Sequence, residues 1–266
     1  MAGFDIHDMQ LLNRITWGIN LSAVRAMNRV GAEAYLEQQL RPSAESDLPA
    51  QAQVEIDVLT ISQRLLEELV AETDLQGKSA NAIVDTEQKQ AAQKAYQETL
   101  NRLGREAATR SLLRDLYSPH QLQEQLSWFW LNHFNVHLYK SNIRVLIGDY
   151  EDRAIRSNAL GRIRDILSAT LHHPAMLRYL DNDQNAAGHL NENYAREIME
   201  RHRHINGFGA KSEVIAGHVE GPRLPLSPSS VSARDYQRCS MALFSVSLEP
   251  PYGRGTARGS GNLREL

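Results

Sequence analysis

The chain has 266 residues, a formal net charge of −3 and a pI near 6.4, so overall charge draws neither nucleic acid nor an anionic membrane to it. A single cysteine, Cys239, excludes an intrachain disulfide and any cysteine-rich zinc site. No stretch nears 18 consecutive apolar residues, which argues against a transmembrane helix, and MAGFDIHDMQLLNRI lacks the apolar run of a secretory signal, so a soluble, cytoplasmic chain is expected.

Nearly all of the first 205 residues predict helix. Residues 7–17 place Met9, Leu12, Ile15 and Thr16 near one face and end at Gly18. Two short helices follow at 21–27 and 32–40, the second closed by Arg41-Pro42. Residues 42–52 predict a loop. Val54, Val58, Ile61, Leu65, Leu66 and Leu69 recur with helical period, predicting one helix over 54–70. Residues 73–86, with Gly77 and Asn81, predict another loop. A long helix is expected over 87–117, with Tyr96, Leu100, Leu103, Ala107, Leu112 and Leu116 on its stripe. Ser118-Pro119 opens the next helix, expected to run to about His137. Further helices are predicted at 142–157, 161–172 and 175–181. Residues 207–266 change character: they hold eight of the sixteen glycines and five of the nine prolines. GPRLPLSPSS cannot be helical, and a poorly structured tail is expected over 206–266, with MALFSVSLEP its one strand-like piece. The expected class is therefore all-α, a compact multi-helix array, with a helical domain over residues 1–205.

Four blocks in order carry a family likeness: LLNRITWGINLSAVRAMNRVGAEAYLEQQLRP (11–42), QLQEQLSWFWLNHFNVH (121–137), GDYEDRAIRSNALGRIRDILSATLHHPAMLRYLDN (148–182) and NENYAREIME (191–200). They resemble the bacterial domain-of-unknown-function family number 1800. The resemblance implies a largely helical, commonly exported protein whose biochemical activity is not established. Members continue past the last block into a glycine-rich turn and a second half. Here Arg201 stands where the family has leucine, and the likeness fades beyond about residue 205. The expected explanation is a truncated or frame-shifted copy, with a lineage-specific tail as the alternative. A half-array would expose apolar surface and self-associate.

Two motifs carry candidate chemistry. Leu122, Leu126, Trp130, His133 and His137 share a stripe if 121–137 is one helix, and histidines four apart offer two imidazoles to one divalent transition metal. Phe134 stands where HExxH has glutamate, so a zincin mechanism is not supported. The alternative is that both histidines close an aromatic core through hydrogen bonds. In NENYAREIMERHRH, Asn191 can cap a helix whose apolar side is Tyr194 and Ile198. Asn193, Glu197 and His202 are candidate catalytic residues: Glu197 as general base or hard ligand, Asn193 orienting water or substrate. The alternative is an ordinary amphipathic helix with Arg196 paired to Glu192 or Glu200. His172-His173-Pro174 reads as a helix end and restart. DNDQNAAGHLNE matches an EF-hand loop at Asp181, Asp183, Asn185 and Glu192 but has Ala186 where glycine is needed.

No dinucleotide, phosphate-loop or nucleophile-elbow motif is present, and basic residues do not cluster with aromatic ones, which disfavours nucleic acid. The residues leave three functional readings open. One is a metal-dependent helical enzyme in which His133/His137 and Asn193/Glu197/His202 converge. The others are a helical binding or scaffolding module, and an inactive truncated product. Substrate and partners are not legible.

Overall fold

The structure, a computed structural model, describes residues 6–43 and 48–184. These form α1 (Ile6–Ile15), α2 (Leu21–Val30), α3 (Ala32–Leu40), α4 (Ala50–Asp57), α5 (Thr60–Gln63), α6 (Leu66–Ala82), α7 (Thr86–Tyr117), α8 (Gln121–His133), α9 (Ile143–Asp149), α10 (Ile163–His172) and α11 (Pro174–Tyr179). After α9 the backbone widens into a π-helical stretch, Tyr150–Ile155, then tightens into a 3-10 turn, Arg156–Asn158. Among the described residues there is no strand, so the chain is all-α as its periodicity predicts. None of the described helices is long and apolar enough to cross a membrane.

The core is organised around α9. Every residue from Ile143 to Gly148 is buried, and α6, α7 and α11 pack around α9. Leu69 of α6, Leu100, Leu103 and Ala107 of α7, and Ile166 and Leu167 of α10 complete that core. A second, smaller core joins Leu12, Ile15, Ala23, Met27 and Tyr35 from α1–α3, with Leu122 of α8 against it. Gln39 ties this unit to the start of α8: its Nε2 donates to the Pro119 carbonyl at 2.8 Å and its Oε1 accepts from Leu122 N–H at 3.1 Å.

Local chemistry explains several helix ends. Asn20 and Asp85 cap α2 and α7 by accepting from Ala23 and Gln88 N–H groups. His173 caps α11, accepting from Ala175 N–H at 3.1 Å, and Pro174 follows at the first helical position.

Four expectations about elements are corrected. Residues 54–70 are not one helix. The chain is extended at Leu59 and Leu65, and Glu106 of α7 accepts from Ile61 N–H at 3.1 Å and Thr60 Oγ1 at 3.0 Å, pinning the short α5 across α7. Residues 73–82 are helix rather than loop. Gly77 belongs there because a Cβ would sit 3.1 Å from the Tyr96 ring, so the glycine lets α6 approach α7 closely. On α7 the stripe shifts after Ala107: Arg110 and Leu113 are buried, while Leu112 and Leu116 are more than half exposed. The region 42–52 is also shorter as a loop, since α4 begins at Ala50.

α8 ends at His133, earlier than expected. Phe134 and Val136 are both almost fully buried, and delivering them to the core takes the chain off the helix. The Phe134 carbonyl then accepts from the Tyr150 hydroxyl at 2.7 Å inside the core. Tyr150→Phe leaves that buried carbonyl without its donor, so urea unfolding should show a loss of about 1–3 kcal/mol with an unchanged m-value.

Candidate functional site

The densest polar chemistry lies where the second half of α7 faces the π-helical stretch. Arg110, Ser111, Arg114 and Asp115 stand one turn apart on α7. Arg110 is buried, and its Nη2 donates to the Gly148 carbonyl at 2.7 Å and lies 3.0 Å from Asp152 Oδ2. A Cβ at residue 148 would come within 2.9 Å of that nitrogen, so glycine is what admits the guanidinium. Arg114 binds the other oxygen of the same Asp152 carboxylate. One carboxylate thus serves two arginines. Burial holds Arg110 below the ordinary guanidinium pKa, with Asp152 opposing, and its Nε makes no hydrogen bond.

Beside this pair is a group of carboxyls. Ser111 Oγ donates to Glu151 Oε1 at 2.6 Å. Glu151 is pushed up to about 7, chiefly by burial, with the Ser111 bond and the charges of Arg114 and Arg110 opposing and that of Asp152 adding. Asp115 also rises to about 7, by burial first and then by the charges of Glu151 and Glu124, against a hydrogen bond from the Trp17 side chain. Glu124 of α8 is buried and takes Arg156 bidentately, at 2.7 and 3.0 Å. The inward face of α8 is polar here: Gln121, Glu124 and Ser127 are its buried residues, while Trp128 and Phe129 are exposed.

On the outer side of the arginine pair, a cleft of about 450 Å³ opens between the α4–α6 segment and the α7/α9 wall. Its apolar lining is Ile56, Ile61, Leu65, Leu66, Leu69 and Val145. Its charged lining is Arg64, Arg110, Arg114, Arg153, Asp149 and Asp152. Asp149 is held from two sides, by Arg153 Nε at 3.0 Å and His173 Nε2 at 3.0 Å. Because His173 Nδ1 accepts from Ala175 N–H, the ring proton sits on Nε2 and donates to Asp149. The histidine expected at a helix restart is therefore a cap that also orients a cleft carboxylate.

The sequence candidates fall elsewhere. His133, the last residue of α8, is partly buried in an aromatic group. Its ring stacks on Phe129 with centroids 6.3 Å apart and meets Phe134 edge-on at 4.9 Å. His137 is exposed and lies edge-on to Tyr139 at 6.2 Å. Since α8 stops at His133, the two do not occupy successive turns of one helix, and the expected i, i+4 arrangement is not formed. Asn193, Glu197 and His202, with the whole of 206–266, lie outside the described residues. Asp181, the expected first position of a calcium loop, pairs with Lys140 at 2.7 Å; the loop's later positions, from Asn185, are also outside. Among the described residues no three His, Cys, Asp or Glu side chains are grouped to hold a metal.

The cleft residues were visible in the sequence only as charges on helices. Arg110 and Arg114 at i, i+4, facing the acidic run of GDYEDRAIR, are the signal that could have found them.

The raised carboxyls have a sign for stability. Folded Glu151 and Asp115 keep protons that the unfolded chain releases near pH 4, so their contribution is present below that pH and lost as pH rises through 7. Each group accounts for at most about 1.4 kcal/mol per pH unit. Glu151→Gln should flatten the fall in unfolding free energy between pH 5 and 7.5, measured by urea titration at each pH; an unaltered slope would show that Glu151 is not the titrating group.

The profile of the family described as "Protein of unknown function (DUF1800)" matches residues 10–203. No curated protein and no solved structure matches the chain. The match runs from within α1 through α11, including the arginine-bearing half of α7 and the π-helical stretch opposite it. By that extent the chain belongs to the DUF1800 family of proteins of unknown function.

Proposed function

We propose that this chain is a ligand-binding helical domain whose working site is the cleft between the α4–α6 segment and the α7/α9 wall. One observation carries the reading: a hollow of about 450 Å³, lined by both apolar and charged side chains, shares its wall with a guanidinium pair that divides one carboxylate, Asp152. A hollow of that size with a few convergent charged groups suits a small organic molecule. Hydrogen exchange followed by mass spectrometry tests it. Small molecules that raise the melting temperature should slow exchange at residues 60–66 and 145–153. Protection confined to other helices would place the ligand elsewhere and end this reading.

A second reading keeps the histidine chemistry. His133 and His137 bind a divalent transition metal, with Asn193, Glu197 and His202 as the catalytic group of a metal-dependent enzyme. It is supported by the exposed His137 four residues after His133 and by the family match, which runs to residue 203 and so takes in the Asn193–His202 block. Elemental analysis of the purified full chain separates the two. Stoichiometric zinc, iron or manganese, lost in His133→Ala but retained in His7→Ala, would favour the metal reading; wild-type protein free of metal after growth in metal-rich medium would dismiss it. Trp17, Trp128 and Phe129, each more than 40% exposed, further support self-association of the chain. The same array could instead serve as a scaffold.

A further inference from the structure

We infer that the ligand of the cleft carries a phosphate-type anion, seated against Arg114 and Arg110 at the α7 wall with its organic body on the apolar floor. The inference rests on the cleft being a ligand site, as proposed above, and adds the chemical class of what enters it.

The charge balance of the lining leads there. Four guanidiniums, Arg64, Arg110, Arg114 and Arg153, face two carboxylates, Asp149 and Asp152. Two of the four are answered locally: Arg153 by Asp149 at 3.0 Å, and Arg64 by Glu72 at 2.6 Å and Glu68 at 3.6 Å, both outside the lining. Arg110 and Arg114 are left to divide Asp152. Glu151, the next acid along, is pushed up to about 7 by burial against the pull of both arginines, and it already accepts from Ser111. The wall therefore carries a net positive charge, reduced near neutrality by the part-ionised Glu151, in a partly dry setting, where an entering anion gains more than it would in water.

The geometry favours phosphate over a lone carboxylate. Two guanidiniums on successive turns of one helix present a fan of N–H donors, which matches an anion with three terminal oxygens better than one with two. Across the cleft, α6 starts at Leu66 after Leu65, which cannot cap it, so the first N–H groups of this 17-residue helix have no side-chain acceptor from the cap position. Leu65 and Leu66 both line the cleft. Glu67 and Glu68 also sit in that first turn but are not part of the lining, so the helix end adds to the arginine pair without deciding the site. Ile56, Ile61, Leu69 and Val145 supply an apolar surface that inorganic phosphate alone would not use, which points to a phosphorylated small organic molecule.

Isothermal titration of the full chain tests this, with phenyl phosphate, inorganic phosphate and benzyl alcohol as probes at constant ionic strength. Saturable binding of phenyl phosphate is expected, weaker binding of inorganic phosphate, and at least tenfold weaker binding of benzyl alcohol. Arg114→Gln should weaken phenyl phosphate about tenfold, the loss of one charge-assisted bond. Ser62→Asp, at an exposed lining position that touches neither arginine's partners nor the core, should weaken it about fivefold by repulsion alone. Arg41→Gln, at an exposed arginine remote in sequence from the lining, should leave it unchanged. Absence of saturable phenyl phosphate binding, or full-strength binding in both Arg114→Gln and Ser62→Asp, overturns the inference. If benzyl alcohol binds as tightly as phenyl phosphate and is lost on filling the floor with Ile61→Trp, the anion class falls while the cleft remains a ligand site.

Discussion

A buried cation at a helix crossing sets the terms for this structure. Arg110 occupies a position on the core stripe of α7 that an apolar side chain would ordinarily fill. Taking a guanidinium out of water is expensive, and the protein offsets it with one backbone carbonyl and half of a carboxylate. Both come from the end of α9 and the π-helical stretch, so α7 and that segment can pack in only one register. Gly148 suits the same register, because a Cβ there would come within 2.9 Å of the guanidinium and 3.3 Å of the Ala107 Cβ. Much of the remaining polar network follows: Arg114 completes Asp152, Ser111 reaches Glu151, and Arg156 reaches back to Glu124 on α8.

This network has two sides with different character. Inward, Glu151 and Asp115 lie in surroundings that favour their neutral forms, and their burial stores protons near neutrality. Outward, the same α7 turn presents positive charge to a hollow with an apolar floor. Arg114 belongs to both sides. On the proposed reading of the cleft, protonation inside and occupancy outside would act on one shared group, a coupling that needs no moving part beyond a change in the local field.

How much of this was legible is best judged residue by residue. The helical class, the long α7 and the starts of α2 and α7 follow from period and capping residues such as Asn20 and Asp85, and those are local properties. The break at Leu59 was not legible, because it depends on Glu106, 47 positions away in the chain, taking the Ile61 N–H. Helix at 73–82 was missed because Gly77 was weighed as a breaker when its role is to make room for Tyr96. On α7 and α8 the error had one cause: charged and amide side chains face inward there, and a reading by hydrophobicity turns the helix the wrong way. Arg110 is buried while Leu112 and Leu116 are not, and Gln121 and Glu124 are buried while Leu122, Leu126 and Trp130, expected on the core stripe, are only partly so. The cleft went unseen for the same reason, since its chemistry sits at positions that look like ordinary solvated charge. The helix expected to reach His137 stops at His133, because Phe134 and Val136 enter the core.

The π-helical stretch fixes something about chain length itself. A π turn holds more residues than the α turn it replaces, so losing a single residue between Tyr150 and Ile155 would let the segment relax into ordinary α-helix. Relaxed to α-helix at its present length instead, the segment would swing every later side chain about 100° around the axis, carrying Arg156 away from Glu124 and moving α10 and α11 with it. The one extra residue held between Tyr150 and Ile155 is thus part of what faces Arg156 toward Glu124, and the π turn is the place in this helix where a single residue of chain length is absorbed.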